Sequence, residues 1–143
     1  MQRINQIMSR EIIHLAPTDT IEHAAQLMAR HDVGALPVCD GTRVVGMVTD
    51  RDLVTRALAL GKGGQAIVRE VTSVPIETCR EHESVDTVLQ RMASAQMRRL
   101  PVISRELELE LVGMVSIGDV ATRGDVSERG AIGETLDYVS QPR

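Results

Sequence analysis

The 143 residues are 43% apolar and 25% charged, enough apolar material for one compact domain or two small units sharing a core, and too much for a disordered chain. Sixteen Lys and Arg against 20 Asp and Glu give a net charge of −4, which argues against a nucleic-acid binder relying on phosphate neutralisation, and a single aromatic residue, Tyr138, excludes a base-stacking platform. No apolar run approaches the roughly 18 residues needed to span a bilayer, and residues 1–14 are too polar for the core of a signal peptide, so a cytoplasmic protein is expected.

Taken in chain order, a short strand at Ile12–Leu15 leads through a polar turn to Thr20, a helix N-cap candidate. Apolar residues then recur at helical spacing at Ile21, Ala24, Ala25, Leu27 and Met28. Two strands, Leu36–Cys39 and Val44–Val48, flank Asp40-Gly41, a hairpin-turn pair. A second helix, Asp50–Leu60, closes at Gly61. Gly61-Lys62-Gly63-Gly64 opens a linker over 61–68 and is not a P-loop, because no Ser or Thr follows the lysine and the glycine spacing is wrong. The order then repeats: a strand at Ile76–Cys79, an N-cap at Ser84, helical apolar positions Val85, Val88, Leu89 and Met92, strands Leu100–Ser104 and Leu109–Val115, and a helix from Gly118 to Arg123 closed by Gly124. The alternation Glu106-Leu107-Glu108-Leu109-Glu110-Leu111 reads as a solvated strand face with three carboxylates. The tail, 125–143, carries a helical pattern at Ile132, Leu136 and Val139 before Pro142.

The repetition is explicit at the level of residues. Shifted by 64, Ile7–Val38 falls on Val71–Val102 without a gap and with eight identities in 32, among them Leu36-Pro37-Val38 on Leu100-Pro101-Val102. Shifted by 67, Val44–Leu53 falls on Leu111–Val120 with five identities in ten. The repeated core is G-M-V-[TS]-x-x-D, present as Gly46 to Asp52 and Gly113 to Asp119. The organisation is therefore one repeat at 5–60, a linker at 61–68, a second repeat at 69–124 and the tail, each repeat reading β-α-β-β-α in an α/β (α+β) fold.

The motif falls where a strand passes into a helix. Its glycine allows close backbone approach, and its hydroxyl and carboxylate face one pocket at the helix start. A carboxylate accepts two hydrogen bonds side by side, as the 2′ and 3′ hydroxyls of a ribose require, and a helix N-terminus suits phosphate. A nucleoside or nucleotide fits both; helix capping alone would also select Thr49 and Asp52, or Ser116 and Asp119.

With both motifs in place, residues 5–124 resemble the CBS-domain pair, or Bateman module, named after cystathionine β-synthase. The doubled A-L-P-V/R-L-P-V and G-M-V-[TS]-x-x-D patterns carry the resemblance. It implies tandem β-α-β-β-α repeats packed around a pseudo-twofold axis, with two clefts that bind adenosyl ligands such as AMP, ADP, ATP or S-adenosylmethionine. It also implies a homodimer, a regulatory and non-enzymatic role read by a protein partner, and an adenosyl effector with no cofactor required. By the same resemblance one cleft combines Ser116 and Asp119 with Ile13, Val33, Gly34 and Ala35, with Arg99 as phosphate contact beside Arg98. The other combines Thr49 and Asp52 with Glu77, Met97 and Arg98, with Arg51 as phosphate contact. The clefts are unequal: Ala35 stands where the second repeat has Arg99, Glu77 where the first has Ile13, and Ile117-Gly118 where the first has Asp50-Arg51. The Asp119 cleft is thus the better one for a phosphorylated ligand, and a dimerisation scaffold with vestigial clefts is the alternative.

Other chemistry finds no support in the sequence. His14, His23, His31 and His82 show no metal-ligand spacing, no nucleophile motif is present, and Cys39 and Cys79 form no CxxC and read as buried thiols of a reducing compartment. The methionines sit at apolar positions, filling core gaps in a chain without Phe or Trp.

Overall fold

The computed structural model describes residues 1–73 and 76–141; Pro142 lies outside them. The chain divides into two compact units, 13–76 and a second made of 1–12 with 77–143.

In the unit 13–76, α1 (Ile21–His31) is capped by Thr20, whose hydroxyl accepts from the His23 N–H, and ends at Asp32 in the left-handed region. Ile21, Ala24, Leu27 and Met28 are buried, while Ala25 is exposed. Strands β1 (Ala35–Asp40) and β2 (Arg43–Thr49) pair antiparallel around a turn in which Gly41 takes φ 63°. The helical stretch α2 (50–60) is irregular: one α turn at Asp50–Asp52, a π segment at Leu53–Ala57 and a 3-10 turn at Leu58–Leu60, stopped by Gly61 at φ 74°. The core joins Leu15, Leu27, Met28, Leu36, Val38, Val48, Ala57, Val68 and Val71.

The other unit repeats the plan with β3 (Cys79–Arg80), α3 (Val85–Ala95), β4 (Arg99–Ile103), β5 (Leu111–Ser116) and α4 (Ile117–Arg123). The hydroxyl of Ser84 caps α3. Two tail helices follow, α5 (Val126–Gly130) and α6 (Ile132–Val139); Ile132, Leu136 and Val139 of α6 pack against this unit's core. Its order is β3-β4-β5, with β3 parallel and β5 antiparallel to β4. Both hairpins carry the same register shift, after Val38 and after Val102.

Four expectations are corrected. The opening strand of each repeat is shorter than its apolar run. In the first copy only Leu15 bridges β1; its N–H donates to the Pro37 carbonyl and it accepts from the Cys39 N–H. The next rung would need a donor at Pro37, which has none, and Pro101 occupies the matching place, so β3 begins at Cys79. The Glu106–Leu111 alternation is not a strand. The Ser104 hydroxyl accepts from the N–H groups of Glu106 and Leu107, Leu109 takes φ 58°, and β5 starts at Leu111. Gly124 ends α4 in an extended conformation instead of a left-handed cap. The helix after the first motif is not regular, as described for α2.

The segments ahead of the two repeats are exchanged. Residues 1–9 hydrogen-bond to 81–85 and to β5, with Ser9 and Met114 bonding each other at 2.8 and 3.0 Å. Residues 64–73 do the same for the other unit, where Ser73 and Met47 bridge and Ile21 donates to Ala66. Gly113 is required by this arrangement, since a Cβ there would meet the Ser9 carbonyl at 2.7 Å and the Met8 sulfur at 2.8 Å.

Candidate functional site

Each copy of the motif ends a strand and opens a helix, and the two junctions have the same local geometry. Thr49 is extended at φ −115°, ψ 162°; its hydroxyl accepts from the Asp52 N–H at 3.1 Å, and Asp52 Oδ2 accepts from the Thr49 N–H at 2.9 Å. Ser116, at φ −130°, ψ 163°, and Asp119 repeat both bonds at 3.1 and 2.9 Å. The aspartate thus closes a reciprocal cap with one oxygen. The other differs between copies. Asp52 Oδ1 lies 3.8 Å from the Arg56 guanidinium, whereas Asp119 Oδ1 has no hydrogen-bond partner among the described residues.

Strand pairing brings further predicted residues to each junction. Ala35 is opposite Thr49, and the Asp50 N–H donates to the Gly34 carbonyl at 2.9 Å. Val33 and Ile13 are half-buried against that unit's core, and Arg51 is exposed on the first turn of α2. In the other unit Arg99 is opposite Ser116, and the Ile117 N–H donates to the Arg98 carbonyl at 3.0 Å. Arg99 is exposed; Arg98 donates to the Ser140 hydroxyl at 3.2 Å; Met97 packs against the core; Glu77 is exposed. Gly34 and Ala35 therefore adjoin Thr49 and Asp52, and Arg98 and Arg99 adjoin Ser116 and Asp119.

Asp50 was not among the expected site residues. Its carboxylate lies on Gly34, with Oδ2 3.1 Å from where a Cβ of that residue would stand, and Oδ1 accepts from the Arg51 N–H at 2.8 Å. Setting position 34 against 98, beside the difference between 50 and 117 already seen in the sequence, is the comparison that finds it.

Away from the junctions, a half-open cavity of about 320 Å³ at the hairpin end of β1 and β2 is lined by Pro17, Val38, Asp40, Val45, Arg69 and Thr72, none of them an expected ligand contact. Both cysteines are free and buried; burial pushes the Cys39 thiol up to about 11 and the Cys79 thiol up to about 12, the latter helped by Glu83. The Arg91 guanidinium grips Glu83 through two bonds of 2.6 and 2.8 Å and holds its carboxyl below the usual value. Among the described residues no group of three or more His, Cys, Asp or Glu is placed to hold a metal ion, and no helix is long and apolar enough to cross a membrane.

The paired junctions define a tandem-repeat module, and comparison with known proteins identifies it. The CBS domain family model matches residues 4–59 and again 68–124, so the chain belongs to that family and carries two CBS domains in tandem. It is 38% identical over 140 residues to the CBS domain-containing protein YhcV of Bacillus subtilis, covering 98% of this chain and 96% of that protein. A crystal structure of Hypoxic Response Protein I with two coordinated zinc ions superposes with a TM-score of 0.77 at 36% identity, over 85% of this chain and 98% of that one. The CBS domain pair of protein MJ0100, in complex with 5′-methylthioadenosine and S-adenosyl-L-methionine, superposes with a TM-score of 0.75 at 26% identity, over 85% and 98%.

Proposed function

We propose that this protein is a non-enzymatic sensor that binds an adenosine-containing ligand, AMP, ADP, ATP or S-adenosylmethionine, and passes its bound state to a protein partner. The observation that carries the reading is the doubled strand-to-helix junction, in which a fixed hydroxyl and carboxylate stand at the same place in both copies. The similarity to the MJ0100 pair, which holds two adenosyl compounds, supports the ligand class. Asp119 is the ribose acceptor of choice because its second oxygen is unengaged among the described residues, with Arg99 beside it for a phosphate. A ligand acts as a signal only through different affinities for two conformations, so the sensor must have a second state for the partner to read.

Dimerisation belongs to the same reading. Val54, Leu58 and Leu60 on α2 are 55, 71 and 69% exposed, apolar side chains that a second copy of the chain would cover. The scaffold alternative is favoured by the capping bonds of Asp52 and Asp119, which a purely structural motif would also show.

The test is a thermal-shift screen of nucleotide-stripped protein against AMP, ADP, ATP and S-adenosylmethionine, alongside light scattering for mass. A ligand at 100 times its Kd stabilises by about 2.7 kcal/mol, on the order of 5 to 11 °C for a chain of this size. Silence from every adenosyl compound, with a persistent dimer, would leave the scaffold.

A further inference from the structure

The two junctions carry opposite charge at one structurally matched place. Asp50 donates its N–H to the Gly34 carbonyl as Ile117 does to that of Arg98, so the pair Asp50 and Gly34 corresponds to Ile117 and Arg98. In the first pair the helix residue bears a carboxylate and the residue ahead of β1 has no side chain; the carboxylate settles on that glycine at 3.1 Å from a would-be Cβ. In the second pair the helix residue is a buried isoleucine and the residue ahead of β4 is an arginine.

The backbone donors differ in the same sense. Both junctions spend one first-turn N–H on the cap hydroxyl, Asp52 on Thr49 and Asp119 on Ser116, but in the first a side-chain oxygen, Asp50 Oδ1, also takes the Arg51 N–H, a donor that an incoming anion would use. Arg56 donates to the Val71 carbonyl and the Ser73 hydroxyl while staying 3.8 Å from Asp52 Oδ1, so Asp50 is the carboxylate of this junction without an ion-pair partner among the described residues. The first turn of α2 thus carries two carboxylates, Asp50 and Asp52, on either side of the exposed Arg51, whereas at the other junction Ser116 is opposite Arg99 and Ile117 donates to the Arg98 carbonyl.

We infer that Asp50 is a specificity-determining residue: it bars 5′-phosphorylated adenosine from the Thr49 and Asp52 junction and leaves that junction to adenosine compounds whose 5′ substituent is neutral or cationic, such as a thioether or a sulfonium. This rests on the adenosine-binding reading and deepens it. At the effective dielectric of a protein surface, a phosphate placed in the same pocket as a carboxylate loses roughly tenfold or more in affinity relative to an uncharged substituent. The inference takes the phosphate-binding role away from Arg51.

AMP and 5′-methylthioadenosine share the nucleoside and differ at the 5′ position, so their affinity ratio reads the effect directly. Calorimetric titrations with both compounds are made on Asp119→Asn protein, which weakens binding at the other junction while keeping its cap, and on the same protein with Asp50→Asn, which keeps an acceptor for the Arg51 N–H. The expected result is 5′-methylthioadenosine at least tenfold tighter than AMP before the second substitution, and a ratio moved toward AMP by about tenfold after it. Equal affinities at the outset, or a ratio unmoved by Asp50→Asn, would overturn the inference while leaving adenosine binding intact. Absence of binding by either compound to wild-type protein would overturn both.

Discussion

Asp119 has two separable tasks, and two substitutions divide them. Its Oδ2 accepts from the Ser116 N–H at 2.9 Å, and its Oδ1, without a hydrogen-bond partner among the described residues, is the oxygen proposed to meet a ribose. Asp119→Ala removes both. Loss of the cap costs about 1 kcal/mol, a fall in Tm of roughly 2 to 4 °C for a chain of this length. Asp119→Asn keeps a carbonyl oxygen for the Ser116 N–H, so the cap survives and the change in stability stays within about 0.5 kcal/mol, chiefly from the charge at the helix start. With that oxygen spent on the cap, the remaining amide group has no lone pair for a ribose hydroxyl. A hydrogen bond to a charged acceptor is worth about 1.5 to 3 kcal/mol, so affinity for AMP falls by roughly 10- to 100-fold in both variants. Urea unfolding reads the first quantity and calorimetric titration the second. If Asp119→Asn binds AMP like the wild type while Asp119→Ala does not, the carboxylate serves the cap alone and its role toward ribose is refuted.

Gly113→Ala drives a methyl into the Ser9 carbonyl and the Met8 sulfur, so it displaces residues 1–9 from β5 and costs about 2 to 4 kcal/mol from lost hydrogen bonds and overpacking, seen as faster hydrogen exchange at Ser9 and Met114. Gly133→Ala, in α6 with open space around it, raises stability by about 0.5 to 1 kcal/mol in the same unfolding assay. Because Arg91 holds the Glu83 carboxyl below its unfolded value, that pair contributes stability above the ordinary carboxylate pKa and loses it as pH falls through the depressed one; Arg91→Met flattens the acid limb of the Tm–pH curve below about pH 5. The thiols of Cys39 and Cys79, raised to about 11 and about 12 by burial, stay unreactive toward a disulfide reagent at pH 8 in native protein, and both react at once in denaturant.

The parts of this fold written in local pattern were legible in the sequence. Thr20 and Ser84 announced the helix starts, apolar spacing gave α1 and α3, and Asp40-Gly41 gave the hairpin. Patterns that compete with another bonding option were read incompletely. The alternation at Glu106–Leu111 looks like a strand until the Ser104 hydroxyl captures two N–H groups and turns the chain. The apolar runs at Ile12 and Ile76 look like full strands until Pro37 and Pro101 withhold a rung. The exchange of leading segments leaves no periodic trace; its sign is the space demanded at Gly113, which only the packed backbone reveals. Asp50 escaped for a related reason, because its partner is a glycine 16 positions earlier that has no side chain to suggest a contact.

The shared motif is heavily occupied by structural work. In the second copy the glycine admits a neighbouring backbone, the serine hydroxyl caps the helix, and one aspartate oxygen closes the cap; the first copy repeats both capping bonds. One carboxylate oxygen per copy is left for a ligand, and in the first copy Arg56 stands 3.8 Å from it. On the proposed adenosine-binding reading, the motif would fix where a ribose sits but has little left with which to choose among adenosine compounds. That choice falls to the positions around it where the copies differ in charge: Gly34 against Arg98, Ala35 against Arg99, and Asp50 against Ile117. On that proposed reading, two junctions built on one backbone plan would prefer ligands with different 5′ groups, and a module with two such preferences would report the ratio of two adenosine compounds as well as the amount of one.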